Sequence, residues 1–276
     1  MIDLTQIKVA RLAWKSRVQR LRAREWRCKP SFTNPESIMI FEKPLITGRL
    51  VKRYKRFLAD VTLENGETVT AHCANPGAMT GLADPGIPVW LSLSDDPKRK
   101  LKYSLEMVEV DDGRGPTRVG INTAHPNRLV EAAIGDNAIE ELRGYASLRR
   151  EVRYGSRNSR IDMLLEDDNR PPCYVEVKNV HLVRSPGLAE FPDSVTARGA
   201  KHLSELADMA SEGARAVMVY LVQRGDCDRF TLAADIDPAY AKAYAQAREA
   251  GMEAICYACD VSPEAIRVTG RLPIEE

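Results

Sequence analysis

No apolar run in the chain approaches the roughly 20 residues that span a bilayer. The N-terminus also lacks the apolar core of a secretory signal, so the sequence reads as that of a soluble, cytoplasmic protein. The six cysteines at 28, 73, 173, 227, 256 and 259 show no disulfide framework, and in a cytoplasm they are expected as reduced thiols. Cys256 and Cys259 have C-x-x-C spacing but no second pair, and they fall in an apolar stretch, which favours structural thiols over a zinc or redox site. No serine or cysteine sits in a readable triad, no loop has P-loop spacing, and there is neither an internal repeat nor a low-complexity tract. Strong net charge is missing too, since 40 basic residues oppose 39 acidic ones for a total of +1. A globally basic nucleic-acid binder is thereby excluded, and any such binding must come from local patches.

What is present is 276 residues, 44% hydrophobic and 29% charged, enough for one large or two modest domains with a real core. Residues 1–38 look like an appendage: nine basic residues against three acidic ones place +6 there and leave −5 for the rest. Leu4, Ile7, Trp14, Val18 and Leu21 trace a rough helical stripe among arginines, which reads as an amphipathic basic helix or a loosely ordered extension. Met39 would serve as an alternative start. Residues 40–122 read as short strands over 50–63, 68–73, 89–93, 105–110 and 118–121, separated by breakers such as Asn65-Gly66, Asp84-Pro85-Gly86 and Asp111-Asp112-Gly113. About five strands in this length suit a small barrel of the oligonucleotide-binding (OB) type. In its first strand Lys52, Arg53, Lys55 and Arg56 surround Tyr54 and Phe57, a pattern that tracks phosphates and stacks bases, or one that protects a sheet edge with charge. Asn75–Gly81, N-P-G-A-M-T-G, is a tight turn of small residues.

From 123 to 276 the pattern changes to mixed α/β. Apolar residues from Leu129 to Leu142 have helical spacing with Gly144 as a stop, 196–213 and 238–250 read as helices, and 216–222, 254–258 and 265–268 read as strands. Between the first two helices lies R-I-D-M-L-L, a polar break E-D-D-N-R-P-P, then C-Y-V-E-V-K-N-V. This is a hairpin with Asp162 on one strand and Glu176 and Lys178 on a common face of the other. Two carboxylates and an ammonium are costly to bury as mere structure and suit a hydrated divalent cation and a phosphate. Glu131 in the preceding helix is a further carboxylate, and Arg198, Lys201, His202 and Glu205 share one face of the following helix. Mg²⁺ (or Mn²⁺) on Asp162, Glu176 and Glu131 would neutralise a phosphodiester and activate water. Lys178 would stabilise developing charge, and Arg198, Lys201 and His202 would hold the nucleic acid.

The ordered motifs K-R-Y-K-R-F-L-A-D-V (52–61), H-C-A-N-P-G-A-M-T-G (72–81), R-I-D (160–162), E-V-K-N-V (176–180), F-P-D-S-V-T-A-R-G (191–199) and K-H-L-S-E-L (201–206) resemble the sugar fermentation stimulation protein A family, from about Pro44 onward. The resemblance implies an OB barrel followed by a domain like the PD-(D/E)xK nucleases. Asp162, Glu176 and Lys178 match the signature positions, Glu131 matches the helix carboxylate, and Ile161 stands where the pattern has Pro. It implies DNA as partner, RNA or single-stranded nucleic acid being the alternatives, and a divalent-metal-dependent nuclease. The alternative is a non-catalytic DNA-binding regulator of sugar (maltose-type) utilisation that keeps the nuclease fold.

Overall fold

The computed structural model describes residues 38–155 and 159–275, so the basic extension lies outside the described residues except for Ile38. The first strand, β1 (Ile38–Ile40), joins the sheet of the C-terminal domain, pairing antiparallel with residues 265–267. The next six strands build the barrel: β2 (Ile46–Tyr54), β3 (Leu58–Leu63), β4 (Thr68–Cys73), β5 (Pro88–Leu93), β6 (Tyr103–Val110) and β7 (Thr117–Gly120). Their order is β4-β3-β2-β5-β6-β7, and a parallel pairing of β4 with β6, Ala71 opposite Tyr103, closes five of them into a barrel. Alternation sends Ala59, Val61, Leu63, Val69, Ala71 and Cys73 inward, where they pack with Leu91, Leu105 and Val119.

The single strand expected over 50–63 is a hairpin. Lys55 and Arg56 take left-handed backbone angles (φ 48° and 62°) and turn the chain between β2 and β3. Neither Gly, Asn nor Asp marks this turn, so the sequence reads as one continuous strand there.

The C-terminal domain is a seven-stranded sheet, ordered β1-β16-β15-β13-β10-β9-β8, with helices on both faces. Its strands are β8 (Ser147–Tyr154), β9 (Ser159–Asp167), β10 (Arg170–Val180), β13 (Arg215–Val222), β15 (Glu253–Val261) and β16 (Ala265–Leu272), plus β1. The core strands β10, β13 and β15 run parallel, and the near-continuous apolar sequence of β13 reflects burial on both faces. Helix α1 (Pro126–Gly135) covers one face, and α2 (Ala197–Ser211) and α3 (Pro238–Glu249) cover the other. A small second sheet, β11 (Leu182–Ser185), β12 (Leu188–Phe191), β14 (Arg229–Leu232) and β17 (Ile274–Glu275), flanks it.

Helix α1 stops at Gly135, well before the expected Gly144. Asn137 breaks it at φ 57°, and a 3₁₀ turn at Glu140–Leu142 keeps Ile139 and Leu142 in the core. The stripe was a true core signal spread over two elements. Strand β8, S-L-R-R-E-V-R-Y, carries no apolar alternation because it is a charged edge strand, and the sequence reading passes over it. Cys256 and Cys259 pack in the cores on opposite sides of the sheet, unbonded, and burial pushes both thiols up, as structural thiols require. No helix among the described residues is long and apolar enough to cross a membrane.

Candidate functional site

The pairing of β9 with β10 runs from Asp167↔Arg170 to Met163↔Val175 and then stops. Beyond it the strands splay. The Asp162 carboxylate accepts the Val177 amide at 2.8 Å, a donor the ladder would otherwise have used. Its other oxygen accepts from Asn127 Nδ2 at 2.8 Å. Across the splay, Glu176 is buried, with Lys178 Nζ 2.7 Å from its Oε1 and His202 Nδ1 against the same oxygen. Arg198 Nε donates to His202 Nε2 at 3.3 Å. That bond makes Nε2 the acceptor and assigns the ring proton to Nδ1, which donates to Glu176. Thr196 caps α2, its hydroxyl accepting from the Gly199 amide at 3.0 Å, and so fixes where Arg198 and His202 project.

Their surroundings push the two carboxylates in opposite directions. Burial and the nearby negative charge of Glu176 raise Asp162, opposed by the Val177 amide, Lys178 and Asn127. Burial also works against ionised Glu176, but the Lys178 charge and the His202 bond outweigh it and hold Glu176 below the usual carboxylate range. Its second oxygen, Oε2, is buried and has no hydrogen-bond partner among the described residues. An orphaned carboxylate oxygen beside a raised carboxyl is the electrostatic condition a cation relieves.

These groups line a groove of about 740 Å³ between the barrel and the α/β domain. The barrel contributes Arg53, Arg56 and the turn at 75–78. Arg53 is spent on that turn, donating to the Asn75 and Gly77 carbonyls at 2.8 Å and to Ala78 at 3.2 Å. Arg56 reaches the groove without such bonds among the described residues. Of the remaining candidates on β2, Lys52 pairs with Asp60 at 3.6 Å and lies over the Tyr54 ring, Tyr54 itself donates to Asp60 at 3.1 Å, and none of Lys52, Tyr54 and Lys55 lines the groove. Arg198 and His202 do, whereas Lys201 does not.

Glu131 is not brought to this cluster. Pro126 opens α1, so Asn127 falls in its first turn at the groove, and Glu131 lies a full turn further on. There it pairs with Arg150 at 3.0 Å. The helix residue at the site is therefore Asn127, which the search for carboxylates passed over, although its place just after Pro126 at a helix start was a usable signal. Asp193 was missed as well. It accepts from Met79 N at 3.0 Å and stands 3.2 Å from His181 Nε2, joining the two domains at the groove. Among the described residues no three His, Cys, Asp or Glu side chains gather around one cation position.

Barrel, splayed sheet and intervening groove define a two-domain protein, an OB barrel in front of a mixed α/β domain. Residues 51–116 match the SfsA N-terminal OB domain, and residues 124–265 match the domain described as the sugar fermentation stimulation protein RE domain. The chain belongs to the sugar fermentation stimulation protein family. A sugar fermentation stimulation protein homolog of Rhodospirillum centenum is 60% identical over 230 residues, covering 83% of this chain and 97% of that one. Another, from Maricaulis maris, is 57% identical over 237 residues, 86% of this chain and 99% of its own length. The structure of SfsA from Pyrococcus furiosus, solved in complex with Ca²⁺, superimposes with a TM-score of 0.76 at 26% identity, covering 86% of this chain and 98% of that one.

Proposed function

We propose that this chain is a divalent-metal-dependent phosphodiesterase of the cytoplasm that cuts nucleic acid, DNA in the first place, laid in the groove between barrel and α/β domain. The observation that carries this is the convergence of Asp162, Glu176 and Lys178 on a groove whose opposite wall presents Arg56. The donor set fits Mg²⁺ or Mn²⁺. Mg²⁺ keeps several waters and is commonly held by one or two carboxylates together with a substrate phosphate. The orphaned Glu176 Oε2 is a free donor for it. The P. furiosus relative was solved with Ca²⁺, a cation of the same oxygen-seeking kind.

Asp162 and Glu176 would hold the cation, which supplies Lewis-acid neutralisation of phosphate charge. Lys178 adds an ammonium beside them for the negative charge that develops on the phosphoryl oxygens. Arg56 and Arg198 bind the phosphate through charge-assisted hydrogen bonds. His202 positions Glu176 through its Nδ1 proton, and Asn127 and the Val177 amide orient Asp162.

The test is cleavage of a panel of single- and double-stranded DNA and RNA with Mg²⁺ or Mn²⁺. Wild type is expected to cut at least one substrate. Asp162→Ala, Glu176→Ala and Lys178→Ala should each lose roughly a hundredfold or more in rate. A wild-type protein that binds the panel but cuts none of it overturns the enzyme. That result leaves the second reading, a non-catalytic DNA-binding regulator of sugar (maltose-type) utilisation. That no third carboxylate or imidazole stands around one cation position among the described residues favours this second reading. It requires that Asp162→Ala leave DNA binding intact.

A further inference from the structure

On the β8–β9 hairpin, Arg153 stands directly opposite Arg160 in the register, and both are exposed. Like charges facing each other across an antiparallel pair are destabilising. The other two arginines of β8 are neutralised: Arg149 by Glu166 at 2.8 and 2.9 Å, Arg150 by Glu131 at 3.0 Å. Neither Arg153 nor Arg160 meets a carboxylate among the described residues, so two guanidinium groups are left facing one another in solvent. Arg160 also precedes Asp162 by two residues in β9, roughly 6.6 Å along the strand. Ile161, between them, points into the core beneath α2 and α3. The pair therefore lies one strand repeat past Asp162, beyond the residues that line the groove.

We propose that Arg153 and Arg160 form a second phosphate clamp, gripping the nucleic-acid backbone next to the phosphate held at Asp162, Glu176 and Lys178. This rests on the nucleic-acid reading above and extends it by giving the strand a direction, outward from the groove along the β8–β9 hairpin. Guanidinium groups suit such a site because each presents a planar fork of donors to phosphate oxygens. An anion between the two also removes the repulsion that the bare pair carries, which accounts for an arrangement that is otherwise a cost to the fold.

The experiment is fluorescence-anisotropy titration of the full-length protein with labelled oligonucleotides, in Ca²⁺, over a series of salt concentrations. For Arg153→Ala/Arg160→Ala, affinity should fall about tenfold and the salt slope by about one unit. Arg153→Lys/Arg160→Lys should keep the slope, and Arg149→Ala, whose charge is already paired, should bind as wild type. The alanine pair should melt no lower than wild type, because facing like charges are removed. Unchanged affinity and slope in the alanine pair, while Arg56→Ala weakens binding, overturns the clamp and leaves the groove reading standing. A lowered Tm with unchanged binding overturns it in favour of a structural pair. A wild-type protein that binds no oligonucleotide removes the nucleic-acid reading and the clamp together.

Discussion

Glu176 shows how one side chain can be ionised, buried and incompletely satisfied at once. Lys178 and His202 share its Oε1 while Oε2 has no partner among the described residues. Asp193 is the opposite case, a carboxylate with every bond it needs. Burial raises it, but the bond and charge of His181 and the Met79 amide bring it down to about 2. A carboxylate whose pKa is lower folded than unfolded adds stability above its unfolded value, and that stability is lost as pH falls through the folded one. The window here runs from about pH 4 down to about pH 2, and the contribution is about 2 kcal/mol. Urea unfolding of Asp193→Asn should show a deficit of that order at pH 6 that shrinks at pH 3. An equal deficit at both values would show that Asp193 is not held by charge.

The turn at 75–81 and the loop at 191–196 act as one device. Arg53 rigidifies the first from beneath, and Asp193 of the second reaches into it. A Cβ added at Gly77 would overlap the Asp193 carboxylate, which is short and held in place by His181, so it cannot move aside. Gly77→Ala is expected to cost about 1–3 kcal/mol by thermal melt. Under the proposed function it should also weaken nucleic-acid binding, because the groove wall shifts. The splay of β9 from β10 is the second device. It frees the Val177 amide for Asp162 and opens the sheet where the two carboxylates meet.

Barrel and α/β domain are tied together by a second set of contacts as well. Arg224 is fully buried and bridges Asp112 of the barrel's β6–β7 loop to Asp226 and the His181 carbonyl. Gly120 N donates to the Gln223 carbonyl at 2.8 Å across the same junction. Replacing Arg224 with Met removes one charge and strands two carboxylates. The expected loss is about 3–5 kcal/mol in urea unfolding, and a loss below about 1 kcal/mol would mean that Asp112 and Asp226 are adequately solvated without it. These ties place Arg56 and the 75–78 turn opposite Asp162 and Glu176, so the groove is a property of both domains together.

Much of this was legible in order along the chain. Alternation in β3 and β4, the apolar run of β13, the Thr196 cap and the Asp162, Glu176 and Lys178 set all express local rules: a period of two, burial on both faces, or an oxygen placed to accept a helix amide. What the chain order does not contain is distance between segments. Glu131 and Asn127 are four residues apart on one helix, and only the docking of α1 against the splayed strands puts Asn127 at Asp162 and leaves Glu131 with Arg150. The Lys55-Arg56 turn lacks its usual residues because the barrel's pairing imposes it. Asp193 finds Met79 across 114 residues, a contact without any sequence periodicity, made by the packing of two domains.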